Sequence, residues 1–213
     1  MAANVMPQRG GLRFAGFIGS PGLGTPPIVA RPVASAYGTA LFCGDALVTV
    51  NDGTVAAVAA GDANPITHVM VSAKNYLGPD SLPRKGQYLP ASTSYTGTVS
   101  LDNPLASVVL CIPVDNMLFE VDITTAASTK TAAQSLVGQS VNIVATAGST
   151  VNGMSGYTTD TVANFKTPGD TTHGQLILVR IPQYDLQGYI NDPTKTYWKG
   201  IFRVNPALMQ PQI

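Results

Sequence analysis

The chain has 213 residues, of which 11% are charged, and a formal net charge of zero. That length buries a core without disulfide or metal support, and the balanced charge offers no broad basic face to phosphates, which argues against nucleic-acid binding. Glu120 is the only glutamate, and a chain this poor in the residues that populate exposed helix faces does not read as a helical bundle. No apolar run approaches the roughly 20 residues of a membrane helix, and no leader pattern opens the chain, so a soluble, unsecreted protein without membrane contact is expected. Weak charge also favours association of copies.

Residues 1–36 hold five prolines, six glycines, three arginines (Arg9, Arg13, Arg31) and no acid. Such a stretch reads as an extended N-terminal arm, because proline lacks an amide donor and glycine is expensive to order. Its apolar side chains, among them Phe14, Phe17 and Ile18, call for a cover that a free linker does not need. Strand signals begin at Tyr37. The runs 37–42, 47–50 and 55–58 are followed by 66–72, 97–101, 107–112, 117–123, 141–145, 175–181 and 197–204, each bounded by turn formers. Asn51-Asp52-Gly53 joins two of them as a β-hairpin, since Asn and Asp tolerate turn geometry and Gly supplies positive φ. The Ala-rich segment 131–137, followed by Gly138, is the one helix expected. Residues 205–213 form an apolar, uncharged C-terminal tail containing Leu208 and Met209. The fold expected is all-β and mainly antiparallel: a β-sandwich or barrel core over 37–204, at most one short helix, and extended arms at both ends.

Few residues suggest chemistry. Of the two histidines, His68 lies in a strand-like run and reads as a hydrogen-bonded structural residue, and His173 falls in a turn; neither has a nucleophile context. Glu120 and Asp122 are two apart and share one strand face, which reads as the solvated face of a surface strand rather than a catalytic pair. Cys43 and Cys111 sit in apolar runs as buried free thiols, although a single disulfide is left open. The glycines at 19, 22 and 24 lack the flanking strand, helix and Lys-Ser that a phosphate loop needs. Neither an enzyme nor a cofactor or metal site is expected.

The basic, apolar arm is the remaining candidate for function. It reads as a docking strap in which extended backbone meets a neighbour's sheet edge, Phe14, Phe17 and Ile18 enter pockets, and Arg9, Arg13 and Arg31 meet carboxylates, with Leu208 and Met209 docking from the tail. On this reading, deleting residues 1–30 leaves the β core folded and abolishes attachment.

The run Tyr37-Gly38-Thr39-Ala40-Leu41-Phe42-Cys43-Gly44-Asp45-Ala46-Leu47-Val48, the Asp52-Gly53-Thr54 turn and Ala60-Gly61-Asp62 resemble small structural proteins of tailed bacteriophages. The stretches Met117-Leu118-Phe119-Glu120-Val121, 142–148 and Gly153-Met154-Ser155-Gly156-Tyr157 extend the resemblance over roughly 37–204. These are the capsid decoration, cement or auxiliary head proteins. The resemblance implies a β-barrel or sandwich on the outer capsid surface of the virion. Its partners would be the major capsid protein and copies of itself as a dimer or trimer, and it would be made in the host cytoplasm. A head fibre, tail or baseplate component with a receptor- or glycan-binding face is the alternative.

Overall fold

The computed structural model describes residues 10–19, 24–34, 37–61, 65–78, 80, 82–91, 107–168 and 174–208. The strands are β1 (Arg13–Phe17), β2 (Val29–Pro32), β3 (Leu41–Phe42), β4 (Ala46–Thr49), β5 (Val55–Ala57), β6 (His68–Leu77), β7 (Pro83–Gly86) and β8 (Tyr88–Leu89). They continue with β9 (Val108–Pro113), β10 (Met117–Ile123), β11 (Ser140–Val141), β12 (Ile143–Val144), β13 (Thr158–Thr159), β14 (Leu176–Arg180) and β15 (Trp198–Val204). The chain is mostly β, with 42% strand and 7% helix. The expected strand at 97–101 lies outside the described residues.

One sheet runs β11-β14-β15-β10-β13-β12, with β1 beside β10, and it almost closes into a barrel. Closure depends on the segment 140–144, whose first half pairs with β14 and second half with β13. The break falls at Asn142, whose side-chain oxygen accepts from Gln175 N at 3.2 Å while its carbonyl accepts from Asp160 N at 2.9 Å. Residues 117, 119, 121 and 123 of β10 point into the core with Trp198, Phe202 and Val204 of β15, as strand alternation requires. Each such side chain contributes roughly 1.5–3 kcal/mol through burial. Trp198 also donates its indole N–H to Thr125 O at 2.9 Å.

The second sheet, β2-β9-β6-β4-β5 with β7 on β6, packs on both faces. Ala46, Val69 and Ile112 join the barrel core, whereas Leu47, Met70, Val109 and Cys111 form a smaller core with Val33 and the β3-β8 pair. The hairpin falls at the expected turn: Val50 N donates to Thr54 O, Asp52 Oδ1 accepts from Thr54 N at 2.9 Å, and Gly53 has φ +81°. The helix α1 (Lys130–Gln134) is capped by Thr129, and Gly138 follows with φ +91°. Among the described residues, two short 3-10 turns, Val162–Asn164 and Pro206–Leu208, fall where no helix is expected.

The N-terminal arm needs correcting. Residues 12–17 and 29–33 belong to the folded body, with β1 antiparallel to β10 and β2 antiparallel to β9. Leu12 and Val33 are buried in the two cores. Glycine content does not prevent pairing here because Gly16 sits at a bulge in β1, and Pro32 occupies the last residue of β2, a strand with a single described neighbour.

Candidate functional site

The residues expected to strap a neighbour are largely engaged with their own chain. Arg13 pairs across the ladder with Glu120, guanidinium to carboxylate. Phe14 and Phe17 meet edge to face, with ring centroids 5.3 Å apart, and pack on the barrel core. Arg31 Nε donates to His68 Nε2 at 3.1 Å, while His68 Nδ1 lies 2.9 Å from Thr67 Oγ1. Burial first, and the Arg31 charge second, hold the His68 pKa down at about 4, so the ring is neutral and structural at physiological pH. Leu208 is half-buried in a 3-10 turn whose Ala207 N donates to Asn205 Oδ1. Only Ile18 of the described group is exposed. Arg9, Met209 and His173 lie outside the described residues.

The expectation that Glu120 and Asp122 occupy a solvated face is overturned. Both are 1% exposed. The loop 181–191 folds over the outward side of β10 and β15, and Glu120 Oε2 accepts from Leu186 N at 2.7 Å. Asp122 pairs with Lys199, itself 1% exposed. Burial pushes the Glu120 carboxyl up, and the Arg13 charge and the Leu186 amide offset part of that rise. Each carboxylate is thus paired with a cation away from solvent, and Glu120 also ties the loop to β10.

Two sequence runs singled out above, 43–45 and 153–157, meet in space. Cys43 N donates to Gly153 O at 3.0 Å and Ser155 N to Cys43 O at 2.9 Å. Gly11 N donates to Tyr157 O and Leu12 N to Gly44 O, so the segment before β1 is threaded into the same junction. Gly11 and Gly44 both have φ +95°, and a Cβ on Gly11 would lie 2.9 Å from the Gly44 carbonyl, so neither position suits another residue. Asp45 is buried here and accepts from Phe42 N at 2.8 Å. Burial pushes its carboxyl up to about 6, although the Ser155 hydroxyl and the Phe42 amide pull it down in part. Cys43 is half-buried and Cys111 fully buried, and both are free thiols.

The exposed face that sequence reasoning missed lies on the outside of the barrel. Loop 181–191 presents Tyr184, Leu186, Tyr189 and Ile190, exposed by 51, 50, 44 and 71%. Beside it a groove of about 500 Å³ is floored by Leu118 and Ile177, walled by Phe17, Ile18 and Val179, and edged by Arg180 and Arg203. The signal in the sequence was the run from Tyr184 to Ile190, four large apolar residues in a turn-rich segment between Pro182 and Pro193. Comparison with protein-family models, curated proteins and solved structures finds no match to this chain.

Proposed function

We propose that the chain is a structural virion protein that binds the outside of an assembled tailed-phage capsid and cements the shell by bridging major capsid proteins. One observation carries the reading. Two of the stretches on which the resemblance to decoration proteins rests, 37–48 and 153–157, interlock through backbone hydrogen bonds at a junction built from glycines and a buried aspartate. They therefore act as a structural unit rather than as scattered short matches. An all-β body that displays an apolar outer face suits the role of a rigid clamp. A protein that binds only the assembled shell stabilises that state by linkage, and many copies acting together add avidity without a strong single contact.

The mode of attachment differs from a strap made of residues 1–36. Deleting residues 1–30 removes β1, Leu12 and part of β2 from the chain's own sheets, and the core should unfold with it. The informative test uses the full chain with expanded shells and with unassembled capsid protein of the same phage, and counts copies by cryo-electron microscopy. Many symmetry-related copies on the shell, with no binding to unassembled protein, is the expected result. A few copies at one vertex, or equal binding to both forms, overturns the cement function.

A further inference from the structure

From the barrel's outer face we infer that the groove edged by Arg180 and Arg203, together with the 182–190 loop, is a docking surface for a protein partner. The partner segment it fits combines apolar side chains with carboxylates. The proposed function supplies only the partner's identity; the chemistry of the face stands without it.

The two parts of this surface are one patch. Leu118 and Glu120 lie two residues apart on the same side of β10. Leu118 floors the groove, and Glu120 holds the Leu186 amide of the loop at 2.7 Å. The loop is therefore seated on the same outward side of β10 as the groove.

The loop is anchored by more than one contact. Asp185 Oδ1 accepts from Gln187 N and Tyr189 N, each at 2.9 Å. Asn191 donates to Pro182 O and to Lys199 O, and its side-chain oxygen accepts from Lys199 N. Four large apolar side chains held outward on so constrained a frame are presented rather than incidentally exposed, which is the mark of an interaction surface. A constrained loop also loses little freedom on binding.

Charge selects the occupant. Among the described residues, Arg180 and Arg203 are the charged ones lining the groove, and no carboxylate lines it. The nearby acids are committed: Glu120 to Arg13 and Leu186, Asp185 to its own loop. A second copy docking through the same face would set arginines against arginines across a two-fold axis, with no carboxylate among the described lining residues to receive them. A foreign segment carrying carboxylates pairs with both guanidiniums while its apolar side chains cover Leu118, Ile177 and Ile190.

The test titrates the full chain with short fluorescent peptides of one leucine-rich pattern, carrying glutamate, glutamine or lysine at the variable positions, and reads anisotropy. The glutamate peptide should bind about tenfold or more tightly than the lysine peptide, a gap that narrows at high salt. The double variant R180E/R203E should reverse the order, and Y184S/I190S should weaken all three; unchanged thermal melts confirm that these surface changes leave the fold intact. Equal affinity for the glutamate and lysine peptides, or no saturable binding of any, overturns the inference. So does concentration-dependent dimerisation in sedimentation that Y184S/I190S removes, because it would assign the face to a second copy. Shells that bind Y184S/I190S and the unaltered chain equally sink this face while sparing the cement function. Shells that bind neither sink the cement function, and peptide selectivity still decides the face.

Discussion

Arg13 of β1 and Glu120 of β10 stand opposite each other in register and form an ion pair beneath the loop 181–191. The pair ties the N-terminal segment, the central barrel strand and the exposed loop into one unit. Removing one partner from such a buried pair costs roughly 3–5 kcal/mol, because the remaining charge is left without its counterion. Arg13→Met should therefore destabilise the chain by about that amount at pH 7. Loss of Arg13 raises the Glu120 pKa further, and stability gained from a raised carboxyl is present at low pH and lost as pH rises through the folded value. The deficit should accordingly shrink in urea melts at acidic pH. A deficit independent of pH would mean that Arg13 acts through packing alone.

Asp122 and Lys199 make a second buried pair on the same side of the sheet. Lys199→Met should cost several kcal/mol, whereas the double change Asp122→Leu with Lys199→Met should recover most of it, since apolar replacements of buried pairs are often neutral or stabilising. Guanidinium denaturation of both variants measures this. If the double variant is as unstable as the single one, the pair's hydrogen-bonding surroundings rather than its charges dominate.

Asp45 and His68 act on stability with opposite signs in mildly acidic solution. The folded Asp45 pKa of about 6 lies above 3.8, so its contribution is present below pH 3.8 and lost as pH rises through 6. The folded His68 pKa of about 4 lies below 6.5, so its contribution is present above pH 6.5 and lost as pH falls toward 4. Relative to the unaltered chain, Asp45→Asn should gain up to about 3 kcal/mol across the Asp45 window as pH rises. His68→Gln should lose ground over the same direction of change. Urea melts at a series of pH values give both difference curves, and curves parallel to that of the unaltered chain would contradict the assigned environments.

The two thiols should be distinguishable by reactivity. Burial pushes Cys111 up to about 12, and burial with the Asp45 charge raises the half-buried Cys43. With a chromogenic disulfide reagent, Cys43 should react slowly in the folded chain and Cys111 only after unfolding. Rapid native reaction of both would show that the smaller core opens readily.

Local pattern identified much of the strand content. β10 spans the expected residues 117–123, because turn formers bound a run of strand-favouring side chains, and the Asp52-Gly53 hairpin lies where turn chemistry puts it. β1 and β2 do not read as strands, since Gly16 and Pro32 argue locally against pairing and the partners that accept them lie about 80–100 residues away in sequence. The burial of Glu120 is illegible for a similar reason: its cover is a loop more than 60 residues later, bound through the Leu186 amide. The need of Phe14 and Phe17 for a cover was legible. That the cover is the chain's own barrel was not, because composition carries no address.

Because β10 is flanked by β1 on one side and β15 on the other, the barrel brings together segments that lie far apart in sequence. β1 leaves the ribosome about 100 residues before the strand it pairs with, and the wall on the opposite side waits for β15. Long-range pairing of this kind closes large loops before it gains contacts, and such folds form in milliseconds to seconds. Assembly of the barrel thus waits until β15 has been made. During synthesis the Phe14–Phe17 segment is an unpaired apolar strand, and this interval is when the chain is most exposed to misassociation with its own copies.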